Sequence, residues 1–96
     1  MSLMDKFRLD GKTAIVTGAG KGIGRGIALC LARAGANVVI SSRTASDLET
    51  VAAEIVELGQ SAYCVTGDIT QQSVLDNIVT TAKAAGGIDI WVNNAG

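Results

Sequence analysis

The stretch TAIVTGAGKGIG, residues 13–24, carries the strongest structural signal in the chain because a β-prone apolar run passes directly into four alternating glycines. Thr13–Thr17 predicts a short buried strand, and apolar residues recur at helical spacing from Ile23 onward. Glycines between a strand and a helix permit a tight turn in which backbone N–H groups and the positive end of the helix meet a phosphate. The stretch predicts a phosphate-binding strand–loop–helix unit, although a glycine turn without a ligand has the same pattern.

A regular alternation of strands and helices occupies the rest of the chain. Further strands are predicted over Asn37–Ser41, Ser61–Thr66 and Ile88–Val92, with helix-like apolar spacing between them. The order β-α-β-α-β-α-β predicts the α/β class, here the N-terminal half of a Rossmann-type, doubly wound parallel sheet. Because crossovers between parallel strands are right-handed, we expect the strand order 3-2-1-4, with the first two helices on one face and the third on the other.

Composition is consistent with such a sheet and argues against several kinds of partner. The 96 residues are 48% hydrophobic and only 3% aromatic, which suits aliphatic strands that helices cover on both faces. The net charge is −1 and no basic stretch interleaves with aromatic residues, so no nucleic-acid partner is expected. No apolar run approaches the roughly 20 residues of a membrane span, so no membrane partner is expected either.

Cysteine and histidine content bears on metal binding and on location. Cys30 and Cys64 lie outside any CxxC or metal-ligand spacing, and the chain has no histidine, so no metal site is predicted. Both cysteines are interpreted as small buried hydrophobic residues in a reducing compartment. Because the N-terminus also lacks the apolar core of a signal peptide, a cytoplasmic location is expected. Because a second methionine stands at Met4, we expect Met1–Leu3 to be an addition from cloning.

The glycine loop departs from the common dinucleotide-binding fingerprint and matches a different one. In G-x-G-x-x-G the third glycine would follow Gly20 by three residues, where Ile23 stands. The letters TGAGKGIG, residues 17–24, instead resemble the TGxxxGxG motif of the short-chain dehydrogenase/reductase family. Three further segments are similar to that family: LDGK at residues 9–12, Asp68 after the third strand, and NNAG at residues 93–96 after the fourth. The resemblance covers nearly all of the chain.

The resemblance implies a binding site for a nicotinamide dinucleotide. Gly18, Gly22 and Gly24 would lie under the pyrophosphate, Asp68 would hydrogen-bond the adenine amine, and the NNAG segment would approach the ribose on the nicotinamide side. The residues with implied cofactor-binding roles are Gly18, Lys21, Gly22, Ile23, Gly24, Ser42, Arg43, Thr44, Asp68, Ile69, Asn93, Ala95 and Gly96. Two alternatives stay open: Asp68 as the carboxylate of a strand-end turn or helix cap, and NNAG as a purely backbone turn.

The end of the second strand bears on which cofactor binds. An acid at this position commonly holds the ribose hydroxyls of NAD, but residues 40–44 read ISSRT and place Ser42 there. Arg43 follows, and Lys21 lies in the glycine loop; a guanidinium and an ammonium can together bind the 2′-phosphate of NADP. The pair resembles that of the NADP-preferring carbonyl-reductase branch, and Ser42 and Thr44 would add hydroxyl donors. NADP(H) is therefore expected rather than NAD(H), with ordinary surface charge as the alternative for both basic residues.

No residue of the chain can be assigned the acid/base role of hydride transfer. The family uses a Tyr-x-x-x-Lys pair, whereas Tyr63, the only tyrosine, is followed four residues later by Gly67. Residues 1–96 are therefore interpreted as a single partial dinucleotide-binding domain, without its C-terminal catalytic half, from an NADP(H)-dependent oxidoreductase acting on a carbonyl/alcohol pair. A non-catalytic nucleotide-binding module and a half-fold acting as an assembly element stay open. The expected protein partner is a second copy, in a homo-oligomer, or a complementary C-terminal half.

Overall fold

The structure, a computed structural model, describes residues 8–94, within which four parallel strands alternate with three helices. The elements are β1 (Thr13–Thr17), α1 (Gly22–Arg33), β2 (Asn37–Ser42), α2 (Ala45–Glu57), β3 (Ala62–Thr66), α3 (Gln72–Ala84) and β4 (Ile90–Asn93). The sheet has the order β3-β2-β1-β4, which confirms the strand order expected from the alternation of elements and right-handed crossovers.

Helices cover both faces of the sheet, as parallel strands require. The register pairs Val16 with Ile40, and both pack on the face that α1 and α2 cover. Ile15 pairs with Val39 on the opposite face, where both pack against Ile78 of α3. The expected division, two helices on one face and one on the other, is confirmed.

β1 lies inside the sheet and β4 lies at an edge of it. All five residues of β1 are buried, whereas β4 is only partly buried. Trp91 pairs with Ile15 and therefore shares the face that α3 covers, yet 42% of its surface is exposed. Ile88, just before β4, is also exposed. A single helix thus leaves part of this face open at β4.

The start of β4 differs from the sequence prediction by two residues. The strand begins at Ile90 rather than Ile88. Asp89 explains the difference, because its carboxylate accepts the backbone N–H of Thr13 at 2.9 Å while its own N–H donates to the Thr13 carbonyl at 3.0 Å. A side chain therefore makes a hydrogen bond that the strand ladder would otherwise make.

Two other local expectations are wrong. Cys30 and Cys64 are exposed rather than buried, because Cys30 lies on the outward side of α1 and Cys64 lies on the edge strand β3. Ile23 is 76% exposed and does not belong to the buried face of α1, which contains Ala28 and Leu29. No helix within residues 8–94 has both the length and the apolar character needed to cross a membrane.

Candidate dinucleotide site

A pocket of about 630 Å³ lies at the end of the sheet where the four parallel strands finish. Its lining comes from the β1–α1 loop, the stretch from the end of β2 into the first turn of α2, the segment after β3, and Asn94 after β4. In doubly wound sheets, ligands bind in the crevice at the carboxyl ends of the strands, where the strand order reverses. The topology therefore brings four segments that are distant in sequence to the position expected for a ligand.

Glycine determines the shape of the β1–α1 loop. Gly18 and Gly22 have φ angles of +64° and +62°, in the left-handed region that favours glycine. A Cβ atom on Gly24 would lie 1.9 Å from the carbonyl oxygen of Gly18, so α1 can approach the loop only without a side chain there. α1 has no acidic residue in its own first turn, so no carboxylate of the helix itself opposes the positive charge at its start. These features suit an anionic ligand.

Thr17 and the two asparagines hold the glycine loop against the end of β4. The side-chain amide of Asn94 donates to the carbonyl oxygen of Gly18 at 3.3 Å, and its backbone N–H donates to the Thr17 hydroxyl at 3.1 Å. The Thr17 hydroxyl donates in turn to Oδ1 of Asn93 at 3.0 Å. The asparagine side chains therefore make this segment more than a backbone turn.

Arg43 and Asp68 form an ion pair beside the pocket. Nη2 of Arg43 lies 3.7 Å from Oδ2 of Asp68. Oδ1 of Asp68 accepts hydrogen bonds from the backbone N–H and the hydroxyl of Thr70, at 2.9 and 2.8 Å. These two hydrogen bonds, and to a smaller extent the Arg43 charge, hold the pKa of Asp68 below its ordinary value. Asp68 therefore forms the strand-end turn that the sequence leaves open as the alternative to adenine binding. It also lines the pocket.

Ser42 places Arg43 at the tip of a short turn. The Ser42 hydroxyl donates to the carbonyl oxygen of Thr44 and accepts the Thr44 N–H, both at 3.1 Å. The Arg43 side chain between them is 78% exposed. Lys21 lines the same pocket and has no ion-pair partner within residues 8–94. Two cationic side chains therefore line this site: Lys21, and Arg43 with its partner Asp68.

The predicted site residues fall into three groups. Seven line the pocket: Gly18, Lys21, Ser42, Arg43, Thr44, Asp68 and Ile69. Four belong to α1 or β4 and do not line it: Gly22, Ile23, Gly24 and Asn93. Two lie outside the described residues: Ala95 and Gly96. Among residues 8–94, no group of His, Cys, Asp and Glu side chains is arranged to hold a metal ion.

Five further residues line the pocket without a predicted binding role: Gly20, Asp47, Gly67, Thr70 and Asn94. Gly20 and Asn94 stand inside motifs that were recognised, so a signal for them was present. Asp47 has no such signal. An acid in the first turn of a helix is ordinarily interpreted as stabilising that helix, and Asp47 occupies this position in α2.

Comparison with known proteins shows the family. The family model described as short chain dehydrogenase matches residues 12–96. Over 95 residues, the chain is 45% identical to an uncharacterized oxidoreductase of Mycobacterium tuberculosis (strain CDC 1551 / Oshkosh), a match that covers 98% of this chain and 36% of that protein. The chain belongs to the short-chain dehydrogenase family.

Two solved structures are similar to the chain and hold different cofactors. A 7α-hydroxysteroid dehydrogenase complexed with NADH and 7-oxo glycochenodeoxycholic acid matches with a TM-score of 0.91 and 46% identity, over 100% of this chain and 38% of that one. L-Sorbose reductase from Gluconobacter frateurii, complexed with NADPH and L-sorbose, matches with a TM-score of 0.88 and 34% identity, over 94% of this chain and 35% of that one. The chain therefore spans less than two fifths of the length of these relatives.

Proposed function

We propose that residues 1–96 form the NADP(H)-binding N-terminal portion of a cytoplasmic oxidoreductase that transfers hydride between the nicotinamide and a carbonyl or alcohol substrate. The observation that carries this proposal is the presence of Lys21 and Arg43 at one pocket, with Ser42 at the position where an acid commonly binds NAD. Membership of the short-chain dehydrogenase family supports the reaction class.

The preference for NADP(H) depends on the side chains of this chain, because its solved relatives hold NADH in one case and NADPH in the other. NADP carries a 2′-phosphate on the adenine ribose where NAD carries a hydroxyl. The Arg43 guanidinium can form paired hydrogen bonds with a phosphate, and the Lys21 ammonium adds a second positive charge. An aspartate at the position of Ser42 would repel that phosphate, whereas a serine does not.

The other predicted contacts would each bind a different part of the cofactor along the pocket. The glycine loop and the N-terminal end of α1 would bind the pyrophosphate. Asp68, whose lowered pKa keeps it ionised at neutral pH, would accept a hydrogen bond from the adenine amine. The NNAG segment would approach the nicotinamide-side ribose, and the bound nicotinamide would supply or accept the hydride. The acid/base group of that reaction is not assigned to any residue of this chain.

Cofactor affinities of the purified protein test this proposal. Titration calorimetry with NADPH and NADH should show at least about a tenfold preference for NADPH, because charge-assisted hydrogen bonds contribute about 1.5–3 kcal/mol each. Arg43→Ala should remove most of this preference by weakening NADPH while leaving NADH nearly unchanged.

Arg33→Ala is the matched control. Arg33 is also an exposed arginine, but it lies in the last turn of α1, at the helix end opposite the glycine loop. Its replacement should leave both affinities unchanged. Equal affinities of the wild-type protein for NADPH and NADH would contradict the proposed NADP(H) preference.

A further inference from the structure

We propose that Asp47 limits the preference for NADPH over NADH, because its carboxylate opposes the 2′-phosphate that Lys21 and Arg43 attract. This inference rests on the proposed function of the pocket as a dinucleotide site. It adds an acidic residue, at the start of α2, to the side chains that determine cofactor specificity.

Asp47 lies in the first turn of α2, and the fold brings it beside the glycine loop. A Cβ atom built on Gly20 would lie 3.0 Å from Cβ of Asp47 and 3.0 Å from Oγ of Ser42. Asp47, Ser42 and Gly20 therefore surround one corner of the pocket, and all three line it. Lys21 follows Gly20 directly in the sequence and lines the same pocket as Asp47.

The charges that line the pocket cancel. Lys21 and Arg43 are cationic, and Asp47 and Asp68 are acidic. The two carboxylates differ in their surroundings, because Asp68 is hydrogen-bonded to Thr70 and lies near Arg43. Within residues 8–94, the Asp47 side chain has neither an ion-pair nor a hydrogen-bond partner. Asp47 is thus the carboxylate whose oxygens remain available to a ligand as hydrogen-bond acceptors.

An available carboxylate affects the two cofactors in opposite directions. It can accept a hydrogen bond from a ribose hydroxyl of NADH, as acids at the end of β2 commonly do in this fold. It repels a phosphate that carries between one and two negative charges at neutral pH. Asp47 therefore favours NADH over NADPH, and its effect opposes that of the two basic residues.

The test compares Asp47→Asn with wild type by titration calorimetry. The ratio of NADPH affinity to NADH affinity should rise about two- to fivefold, the range expected for removing one partly solvated charge near a phosphate. Adenosine 2′,5′-bisphosphate and adenosine 5′-monophosphate, which differ only by the 2′-phosphate, should show the same change. The change should decrease as salt concentration rises, because salt screens charges near the surface.

Two further variants separate the local charge of Asp47 from the net charge of the protein and from the stability of α2. Glu49→Gln removes a carboxylate from the same helix at an exposed position that does not line the pocket, so it should leave the affinity ratio unchanged. Asp47→Ser removes the charge but keeps a residue that is favoured at helix N-termini. It should reproduce the change in ratio even if Asp47→Asn lowers the stability of α2.

The outcomes distinguish this inference from the proposed function. If the wild-type protein binds both dinucleotides and Arg43→Ala removes the preference, but both Asp47 variants leave the ratio at its wild-type value, the inference is wrong and the proposed function stands. An equal change produced by Glu49→Gln would also overturn the role of Asp47. If neither dinucleotide binds, or Arg43→Ala leaves the ratio unchanged, the proposed function fails and the inference fails with it.

Discussion

At the scale of single residues, two glycines of α1 that look equivalent in sequence have opposite surroundings. A Cβ on Gly24 would lie 1.9 Å from the backbone oxygen of Gly18 and 2.6 Å from the side-chain nitrogen of Asn94. A Cβ on Gly26 would meet nothing within 4 Å. Gly24 is therefore required by packing, whereas Gly26 only adds conformational freedom to the unfolded chain.

Alanine substitutions at these two positions should change stability in opposite directions. Gly26→Ala should raise the free energy of unfolding by about 0.5–1 kcal/mol, because alanine is the better helix former. Gly24→Ala should lower it by about 1–3 kcal/mol or more, because backbone must move to admit the methyl group. Urea denaturation followed by circular dichroism measures both. A Gly24→Ala variant as stable as wild type would show that the loop packs less closely than the structure indicates.

Some residues of the site can be predicted from the sequence, and others cannot. Arg43 and Lys21 could be found because motif spacing fixes them relative to the glycines and to the end of β2. Asp47 could not, because only the rotation of α2 about its axis decides whether an acid in its first turn meets the pocket or solvent. That rotation depends on how Leu48 and Val51 pack against the sheet.

At the scale of secondary structure, an ion pair joins the two helices that share a face of the sheet. Nε of Arg25 in α1 donates to Oε1 of Glu54 in α2 at 2.9 Å, and Nη2 of the same arginine contacts Oε2. The hydrogen bond from Arg25 is the main cause of a lowered pKa for Glu54. The pair also raises the pKa of Arg25, which stays cationic at any ordinary pH.

This pair should make stability depend on pH in the acidic range. Because the pKa of Glu54 is lower in the folded state, the stabilisation is fully present above the unfolded value of about 4.3 and is lost as pH falls through the folded value. Glu54→Gln should therefore flatten the fall in unfolding free energy measured between pH 7 and pH 3. Arg25→Gln, which keeps the carboxylate and removes its donor, should flatten it similarly. Profiles of both variants parallel to wild type would contradict this assignment.

The strands and helices could be predicted where the sequence pattern that defines them is local. Apolar periodicity located each strand and helix, and right-handed crossovers then fixed the strand order. The first residue of β4 was not predictable, because Asp89 replaces a ladder contact through a side chain whose partner, Thr13, is 76 residues away. Cys64 is exposed because β3 lies at an edge of the sheet, a position that follows from the predicted strand order; the interpretation of the cysteines as buried depended on residue type and spacing alone.

At the scale of the whole molecule, β4 combines an open edge with incomplete cover. Its backbone pairs with β1 on one side only within the described sheet. Trp91, on the face that α3 covers, remains 42% exposed. Unpaired strand edges next to exposed apolar side chains promote association with another chain.

The 96-residue chain is therefore expected to self-associate in solution. Sedimentation velocity over a concentration series should show a rising average sedimentation coefficient, and Trp91→Lys should reduce the rise, because lysine at an edge opposes strand pairing. Ile23→Lys is a suitable control, since Ile23 is also an exposed apolar residue but lies on α1, away from the edge. A stable monomer at high micromolar concentration, with protected amides in β4, would contradict this expectation.

The hydrogen bonds between Asn94 and the glycine loop also bear on the order in which the site forms during synthesis. A ribosome releases Gly18 long before Asn94, which is 76 residues further along the chain. β1 can pair with β2 soon after both emerge, but the strand on its other side and the amide that holds Gly18 arrive only when almost the entire described chain has been made. Between the synthesis of Gly18 and that of Asn94, the glycine loop therefore lacks the amide contact that holds it, and the pocket acquires its last described lining residue only when Asn94 has been made.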